Sequence, residues 1–285
     1  MAGPARVDPP LERLLDLPAG RFRALEWPGA EPAALFLHGL TGVAEVWGPT
    51  VDALGAERPR CVAFDQRGHG HSAKPANGYA VTDFVADTLG VIEALGLARP
   101  HLVGHSMGAR VALVLAARHP EAIRSVSIVD IGPEAWKANW QETVAALDRM
   151  PATWPDAVSA IGGAARSRGA GSIDADAARA IALARLQALR DGSVTWLADR
   201  EALKQTVIAH RSRDYWREWR SLRIPSVFVH GATSTEVRPR IAARMLSENP
   251  GVLYREYEGV GHNIPLLAPA QLATTIRGLW NSIDL

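Results

Sequence analysis

The sequence predicts an α/β protein built on a mostly parallel, doubly wound sheet. Short apolar runs alternate with helix-like stretches through most of the chain. Strands that are apolar on both faces and separated by helices indicate a parallel sheet that is covered on both sides. The six apolar runs are residues 33–38, 60–65, 101–105, 125–130, 225–230 and 252–257.

Helices are predicted in the connections between these strands. Parallel neighbours need a long crossover, and the connections carry apolar residues at helical spacing. Residues 21–27 are predicted to add an antiparallel strand at the edge of the sheet. The predicted helices are residues 43–54, 81–97, 107–118, 238–246 and, after the last strand, about 269–283.

One long stretch, residues 133–222, interrupts this alternation. It contains no convincing strand and reads as helices rich in Ala, Arg and Trp. We interpret it as a helical cap insertion between two parts of one core domain, residues 1–132 and 223–285. Large aromatic side chains mostly pack cores, but at least one of this set is expected to face a pocket, and Trp136 is the candidate. The insertion holds six of the nine tryptophans, Trp136, Trp140, Trp154, Trp196, Trp216 and Trp219.

Composition excludes several classes of function. The 285 residues are 47% apolar and 21% charged, with a formal net charge of +1, so neither nucleic acid nor an acidic membrane surface is expected as a partner. No segment resembles a signal peptide or is long enough to span a bilayer, which favours a cytoplasmic protein, either a monomer or a homodimer. The single cysteine, Cys61, cannot form an internal disulfide and is expected in the core.

The most informative motif is Gly104-His105-Ser106-Met107-Gly108, which lies between a predicted strand and a predicted helix. A serine on a sharp strand-to-helix turn is held clear of its neighbours, and the flanking glycines allow close backbone packing. The helix that follows presents unsatisfied N–H groups and a partial positive charge to an anion formed at that serine. The motif therefore predicts Ser106 as a nucleophile.

A nucleophilic serine needs a base within hydrogen-bond reach, and the base needs a third group to orient it. In the chain order that accompanies this type of turn, the histidine comes last, on a loop after the final strand. Gly259-Val-Gly-His262 follows the predicted strand 252–257. His262 is therefore the predicted general base.

Two further motifs follow the first two predicted parallel strands. They are His38-Gly39-Leu40-Thr41-Gly42 and Asp65-Gln-Arg-Gly-His-Gly-His-Ser72. Together with the serine turn and Gly-x-Gly-His, they resemble the α/β-hydrolase superfamily, specifically its cap-bearing esterase and C–C/C–N hydrolase branch. The resemblance spans about Leu35 to the C-terminus, although the insertion matches only in position and helical character. It implies an α/β-hydrolase fold, with the backbone N–H groups of Leu40 and Met107 as the oxyanion hole.

The position that usually carries the triad acid in this family is a serine in this chain. The family pattern Gly-x-x-Asp reads Gly231-Ala-Thr-Ser234 after the strand 225–230. A neutral hydroxyl cannot stabilise an imidazolium as a carboxylate does. Asp130 is the predicted acid, because it ends the strand 125–130 at the same edge of the sheet as Ser106.

The resemblance supports this placement of the acid. Some branches of the family carry the acid after the sixth strand of the family's sheet, which corresponds to residues 125–130 here. Among them are certain short-chain esterases and an amide hydrolase that acts on acetamidomethylene-succinate. Glu236 remains a rival acid, and a turn or capping role remains the alternative for Asp130. Ser234 is then expected to hydrogen-bond the carboxylate or the histidine.

These residues predict acyl transfer to water without a cofactor, and hydrolysis of a carboxylic ester of a small molecule is the preferred activity. Amide, lactone and C–C bond hydrolysis are alternatives, and a small-molecule receptor on the same fold is the non-enzymatic one. Serine at the centre of the turn argues against a dehalogenase or an epoxide hydrolase. Arg110, four residues after Ser106, either contacts a substrate carboxylate or makes a structural contact.

A metal site is not predicted. His69-Gly-His71 has the His-x-His spacing of zinc hydrolases, but Ser72-Ala73 follows where those proteins have Asp-His. No other group of His, Cys and Asp has the spacing of a coordination sphere. The segment from Asp65 to Ser72 is interpreted as a turn that supports the site.

Overall fold

The computed structural model of the chain describes residues 9–134, 140–160 and 175–283. Eight strands form one sheet, and a separate pair forms a small antiparallel sheet. The strands are β1 (Leu11–Leu17), β2 (Gly20–Trp27), β3 (Ala30–Leu37), β4 (Pro59–Phe64), β5 (His101–His105), β6 (Ser125–Val129), β7 (Leu186–Ala188), β8 (Val194–Trp196), β9 (Ser226–Gly231) and β10 (Leu253–Tyr257).

The order of strands in the large sheet is β1-β2-β4-β3-β5-β6-β9-β10. The six strands from β4 to β10 in this order are parallel, and β2 is antiparallel to both β4 and β1. The predicted mostly parallel α/β fold is confirmed. The predicted antiparallel strand is β2, but it is not the edge of the sheet, because β1 pairs with its outer side. Only Leu15 of β1 is buried, so this strand lacks the apolar alternation that predicts a strand.

Helices cover both faces of the large sheet. The prediction for residues 107–118 matches α3, whereas that for 43–54 is divided into a 3₁₀ turn (Ala44–Trp47) and α1. Pro49, at the start of α1, has no N–H to continue the preceding turn. The helices are α1 (Gly48–Leu54), α2 (Val81–Ala94), α3 (Met107–Arg118), α4 (Trp140–Arg149), α5 (Ala175–Leu183), α6 (Arg200–Arg211), α7 (Trp216–Ser221), α8 (Pro239–Glu248), α9 (Ile264–Leu267) and α10 (Pro269–Asn281).

Two apolar layers hold the sheet between these helices. On one face, side chains of α2, α3, α7 and α8 pack together, with Phe84 and Trp219 among the largest. On the other face, α1 and α10 pack over the sheet around Trp47. Cys61 is fully buried in this second layer, as predicted, and burial raises the pKa of its thiol to about 12. None of the helices in the described residues is long and apolar enough to cross a membrane.

The chain leaves the large sheet after β6 and returns to it at β9. The expectation that this stretch contains no strand is wrong, since β7 and β8 pair as a hairpin. Its turn contains Asp191-Gly192, and Gly192 has a positive φ of 85°. An Asp-Gly pair is a recognised hairpin signal, but the strands on either side have only three residues each. The boundaries at residues 133 and 222 stay a prediction, and Trp136 lies outside the described residues.

Glycines allow α3 to pack against the end of β3. A Cβ on Gly108 would lie 2.6 Å from the carbonyl oxygen of His38, and one on Gly104 would lie 2.7 Å from the Cα of Ala109. Both flanking glycines of the serine motif are therefore required by close backbone approach. This packing places the first turn of α3 beside the loop that follows β3.

We expect Gly108→Ala to lower the free energy of unfolding by roughly 3 kcal/mol, because its Cβ meets backbone that cannot move aside. The matched control is Gly278→Ala in α10, where no atom lies within 4 Å of the new Cβ. That control should stabilise the protein by about 0.5–1 kcal/mol through helix propensity. Urea unfolding measures both variants. Equal changes in the free energy of unfolding would contradict the conclusion that close backbone contact requires a glycine at position 108.

Candidate active site

Ser106 occupies a strained turn between β5 and α3. Its φ is 54° and its ψ is −117°, a conformation that side-chain-bearing residues rarely adopt. The turn is held from both sides, since the Ser106 N–H donates to the Val129 carbonyl at 2.9 Å and the Ser106 carbonyl accepts from the Arg110 N–H at 3.1 Å. The sheet and the helix together therefore maintain the backbone conformation of Ser106.

His262 lies between Ser106 and Asp130, on the loop that connects β10 to α9. Its Nε2 is 3.0 Å from the Ser106 Oγ, and its Nδ1 is 2.6 Å from Oδ2 of Asp130. An ionised carboxylate only accepts hydrogen bonds, so Nδ1 carries the proton and Nε2 is free to accept the proton of Ser106. The structure brings together the three residues that were predicted as nucleophile, base and acid.

His105 contacts His262, a link that the sequence did not predict. Its Nε2 is 2.8 Å from the backbone carbonyl of His262, and the two rings are 4.8 Å apart. The contact links residues 157 positions apart, so no local pattern predicts it. The one sequence feature that could have indicated this contact is the position of His105 at the end of β5, directly before Ser106.

Asp130 is fully buried and also has a positive φ, of 52°. Its Oδ1 accepts from the Gly231 N–H at 3.0 Å, while Oδ2 accepts from both His262 and the Ser234 hydroxyl. Burial alone would raise the pKa of this carboxyl, but the hydrogen bond and charge of His262, with the bonds from Ser234 and Gly231, hold that pKa below its ordinary value. The geometry therefore favours an ionised carboxylate beside the imidazole.

The rival acid, Glu236, has different surroundings. Its backbone N–H donates to the Ser234 Oγ at 3.2 Å, and its carboxylate acts electrostatically on Arg110 and Arg211. The carboxylate that contacts His262 is that of Asp130. Ser234 thus connects the loop after β9 to Asp130, as expected of a hydroxyl at the usual position of the acid.

The loop after β3 passes directly beside Ser106. A Cβ on Gly39 would lie 3.1 Å from the Cβ of Ser106, and the turn is closed by the Gly42 N–H, which donates to the Gly39 carbonyl at 2.9 Å. The N–H groups of Leu40 and Met107 donate no hydrogen bond to any described residue. Both groups are therefore available to an oxyanion.

Neutral histidines support this loop from the core side. His38 donates from Nδ1 to the Gly39 carbonyl at 2.8 Å, and its Nε2 accepts from the Gln66 N–H at 3.0 Å. Burial lowers the pKa of His38 to about 4, so the ring is neutral, as an accepting Nε2 requires. The His69 ring lies 4.9 Å from that of His38 and bonds the Arg67 carbonyl at 2.8 Å.

The segment from Asp65 to Ser72 forms the turn that the sequence predicts. The buried carboxylate of Asp65 accepts from the N–H groups of Ala44 at 2.8 Å and His71 at 3.0 Å, which ties this turn to the segment after the Leu40 loop. In the part of the chain that the structure describes, no group of three or more His, Cys, Asp or Glu side chains is arranged to hold a metal ion.

Of the two candidate substrate contacts, only Arg110 lies among the described residues. Its guanidinium is buried and donates to the backbone carbonyls of His210 at 3.2 Å and Gly132 at 3.5 Å. These bonds are the structural contact that the sequence left as one of two alternatives for Arg110.

Comparison with known proteins shows the family. Residues 32–269 match the model of the α/β hydrolase fold, and the chain belongs to that family. It is 31% identical over 256 residues to 2-(acetamidomethylene)succinate hydrolase of Mesorhizobium japonicum, covering 90% of this chain and 89% of that protein. The family and this relative support hydrolase activity for the chain.

Solved structures agree with this membership. The crystal structure of E-2-(acetamidomethylene)succinate hydrolase is 29% identical with a TM-score of 0.88, covering 95% of this chain and 99% of that one. An esterase of Mycobacterium tuberculosis is 25% identical with a TM-score of 0.79, covering 96% of this chain and 93% of that one.

We expect the stability of the fold to decrease below pH 6.5 because of its buried histidines. Burial lowers the pKa of His38 to about 4 and those of His69 and His210 to about 3, from an ordinary value of 6.5. Between these values the unfolded chain binds protons that the folded protein does not, so each group destabilises the fold by about 1.4 kcal/mol per pH unit as the pH falls.

Urea unfolding between pH 6.5 and 5 tests this expectation with His210→Gln. The slope of the unfolding free energy against pH should be shallower than in the wild type by about 1.4 kcal/mol per pH unit. Ser212→Ala, which changes an exposed side chain that does not titrate, is the control and should leave the slope unaltered. Equal slopes in His210→Gln and the wild type would contradict the expectation.

Proposed function

We propose that this protein is a serine hydrolase that cleaves a carboxylic ester, or a related acyl bond, of a small molecule. The observation that carries the proposal is the continuous series of hydrogen bonds from buried Asp130 through His262 to Ser106. A base that touches the nucleophile and is oriented by a third group is the arrangement that activates a serine hydroxyl. The available N–H groups of Leu40 and Met107 complete the requirements for acyl transfer.

Acylation of Ser106 is the first half of the proposed reaction. The Ser106 Oγ attacks the substrate carbonyl while its proton passes to Nε2 of His262, 3.0 Å away. The negative charge that develops on the carbonyl oxygen is stabilised by the N–H groups of Leu40 and Met107. His262 then donates the proton to the leaving group, and Asp130 stabilises the transient imidazolium while remaining ionised.

Deacylation uses the same groups in the same roles. Nε2 of His262 removes a proton from a water molecule, whose oxygen attacks the acyl carbon bound to Ser106. The oxyanion forms again beside Leu40 and Met107, and its collapse returns the proton to the Ser106 Oγ. Water is the only co-substrate, and Ser106 and His262 return to their starting protonation states.

Amide cleavage is a second candidate activity. The relative from Mesorhizobium japonicum, which matches 90% of this chain, has a substrate whose name includes an acetamido group. The two activities are separated by p-nitrophenyl butyrate and the p-nitroanilide of butyric acid, which share one acyl group. A serine esterase cleaves the first far faster, whereas comparable rates identify an amide hydrolase.

We expect Ser106→Ala to lower the rate of p-nitrophenyl butyrate hydrolysis at least ~10³-fold, because no other group replaces the nucleophile. A fluorophosphonate should label the wild type at Ser106, and the variant should unfold at the same temperature. Ser212→Ala, at an exposed serine, is the matched control and should retain full activity. Near-native turnover by Ser106→Ala would refute the mechanism, and a wild type inert toward both substrates would favour a receptor.

We also expect Asp130→Asn to lower kcat about 10³- to 10⁴-fold, because the imidazole loses both its orientation and its countercharge. Ser234 contacts the same Asp130 oxygen as His262, so an aspartate at position 234 should present a carboxylate to the imidazole. The double variant Asp130→Asn/Ser234→Asp should therefore regain at least ~10-fold of the lost rate.

The control for this rescue is Asp130→Asn/Ser234→Asn, which introduces a side chain of the same size without charge and should not recover. Steady-state kinetics on p-nitrophenyl butyrate measure all three variants. Full activity in Asp130→Asn together with inactivity in Glu236→Gln would instead identify Glu236 as the acid.

A further inference from the structure

Arg110 places a buried positive charge one helical turn after Ser106. Its side chain is 4% exposed, and it forms no ion pair with a carboxylate in the described part of the chain. Both of its hydrogen-bond acceptors are backbone carbonyls, those of His210 and Gly132. A buried guanidinium normally requires a stabilising partner, so the position of these carbonyls is informative.

The two carbonyls lie where the chain leaves the core and where it returns. Gly132 comes just after β6, and His210 is in the last turn of α6. The Tyr215 N–H donates to the Pro133 carbonyl at 2.7 Å, and the guanidinium carbon of Arg110 lies 5.3 Å from the centre of the Tyr215 ring. Arg110 therefore connects the helix of the nucleophile to both the outgoing and the returning segment.

The end of α6 stabilises the charge of Arg110, in addition to the electrostatic action of the Glu236 carboxylate. The last carbonyls of a helix have no partner within it, and together they carry a partial negative charge. Arg110 donates to one of these carbonyls, so its guanidinium caps the C-terminus of α6. At the other end of α6, the Asp199 N–H donates to the Gly68 carbonyl at 2.9 Å. The helix is thus attached to the core at both ends.

Helix α6 also holds the loop that contains Leu40. Leu203 and Val207 lie four residues apart on one face of α6, are 1% and 3% exposed, and form an apolar cluster with Leu147. The side chain of Leu40 packs against this cluster. Leu40 also packs against the main core, so α6 supplies one of the two apolar surfaces that position the residue carrying this N–H.

We propose that Arg110 is a positioning residue, which fixes the C-terminal end of α6 so that Leu203 and Val207 hold Leu40 with its N–H directed at the oxyanion. The proposal rests on the function proposed above, in which Leu40 stabilises the oxyanion. Because that charge develops in the transition state, loss of Arg110 lowers kcat and leaves KM nearly unchanged.

Kinetics and hydrogen exchange test this role together in Arg110→Met, which keeps the length of the side chain and removes its charge and donors. Kcat for p-nitrophenyl butyrate should fall about 10- to 100-fold, with KM within about 3-fold. Amide exchange should accelerate in residues 38–42 and in α6. Arg110→Lys, which retains the charge and can reach one carbonyl, should recover part of the rate.

The matched control is Arg118→Met, on the same helix. Arg118 pairs with Glu218 of α7 at 2.7 Å, so this change removes a different contact between α3 and the segment that returns to the sheet. It should alter neither kcat nor exchange in residues 38–42. If Arg110→Met does not fold, Val207→Ala keeps Arg110 and trims the face of α6 that contacts the cluster, and it should produce the same selective loss of kcat.

Three results would overturn the proposal. A rise in KM at constant kcat would mean that Arg110 binds substrate directly. A fall in kcat without faster exchange in α6 would remove the link through that helix, and faster exchange in α6 without a fall in kcat would remove the link to Leu40. Failure of the proposed function can be distinguished from failure of this proposal. The former appears as ester hydrolysis that is insensitive to Ser106→Ala, whereas the exchange measurement on Arg110→Met does not depend on activity.

Discussion

The geometry of the site depends on the hydrogen bond between His262 and the buried carboxylate of Asp130. A carboxylate is stable in the interior only when donors satisfy its oxygens, and here the donors come from two separate segments. His262 belongs to the loop after β10, while Gly231 and Ser234 lie at the end of β9. The same three bonds that keep Asp130 ionised therefore bring the ends of β6, β9 and β10 to one point.

In the proposed mechanism the acid follows β6, whereas the family resemblance places the usual acid after β9. The two strands are neighbours in the sheet, so their carboxyl ends are about 4.8 Å apart. A carboxylate at either end can reach the same imidazole nitrogen. The Ser234 hydroxyl, at the usual place of the acid, now donates to Asp130 and fills the space beside it. The end of β6 therefore lies within reach of the same histidine as the end of β9.

The parts of the structure that local physics determines could be predicted from the sequence. Apolar runs identified the parallel strands, and the glycines around Ser106 identified a turn that needs close backbone contact. Strand β1 was not predicted, because an exposed edge strand has little apolar alternation. The β7–β8 hairpin was not predicted either, because strands of three residues are too short to show a period.

The choice between Asp130 and Glu236 and the role of His105 depended on contacts between distant segments. His105 bonds a carbonyl 157 residues away, and the partner of His262 depends on which strand ends are adjacent. Arg110 shows the same limit, since its acceptors are carbonyls whose position only the folded chain determines. Local pattern therefore identified the groups that the proposed reaction uses, and tertiary packing determines how they are oriented.

The loop of Leu40 is the point where the core and the segment between β6 and β9 meet. From the core, His38 and Gln66 hold its backbone through hydrogen bonds, and the bond from the Gln66 N–H to Nε2 of His38 requires a neutral imidazole. From the other side, the apolar face of α6 holds the Leu40 side chain. One loop thus receives its backbone position from the sheet and its side-chain position from α6. In the proposed mechanism the Leu40 N–H stabilises the oxyanion, so the packing of α6 against the Leu40 side chain couples the position of this helix to the rate of the reaction.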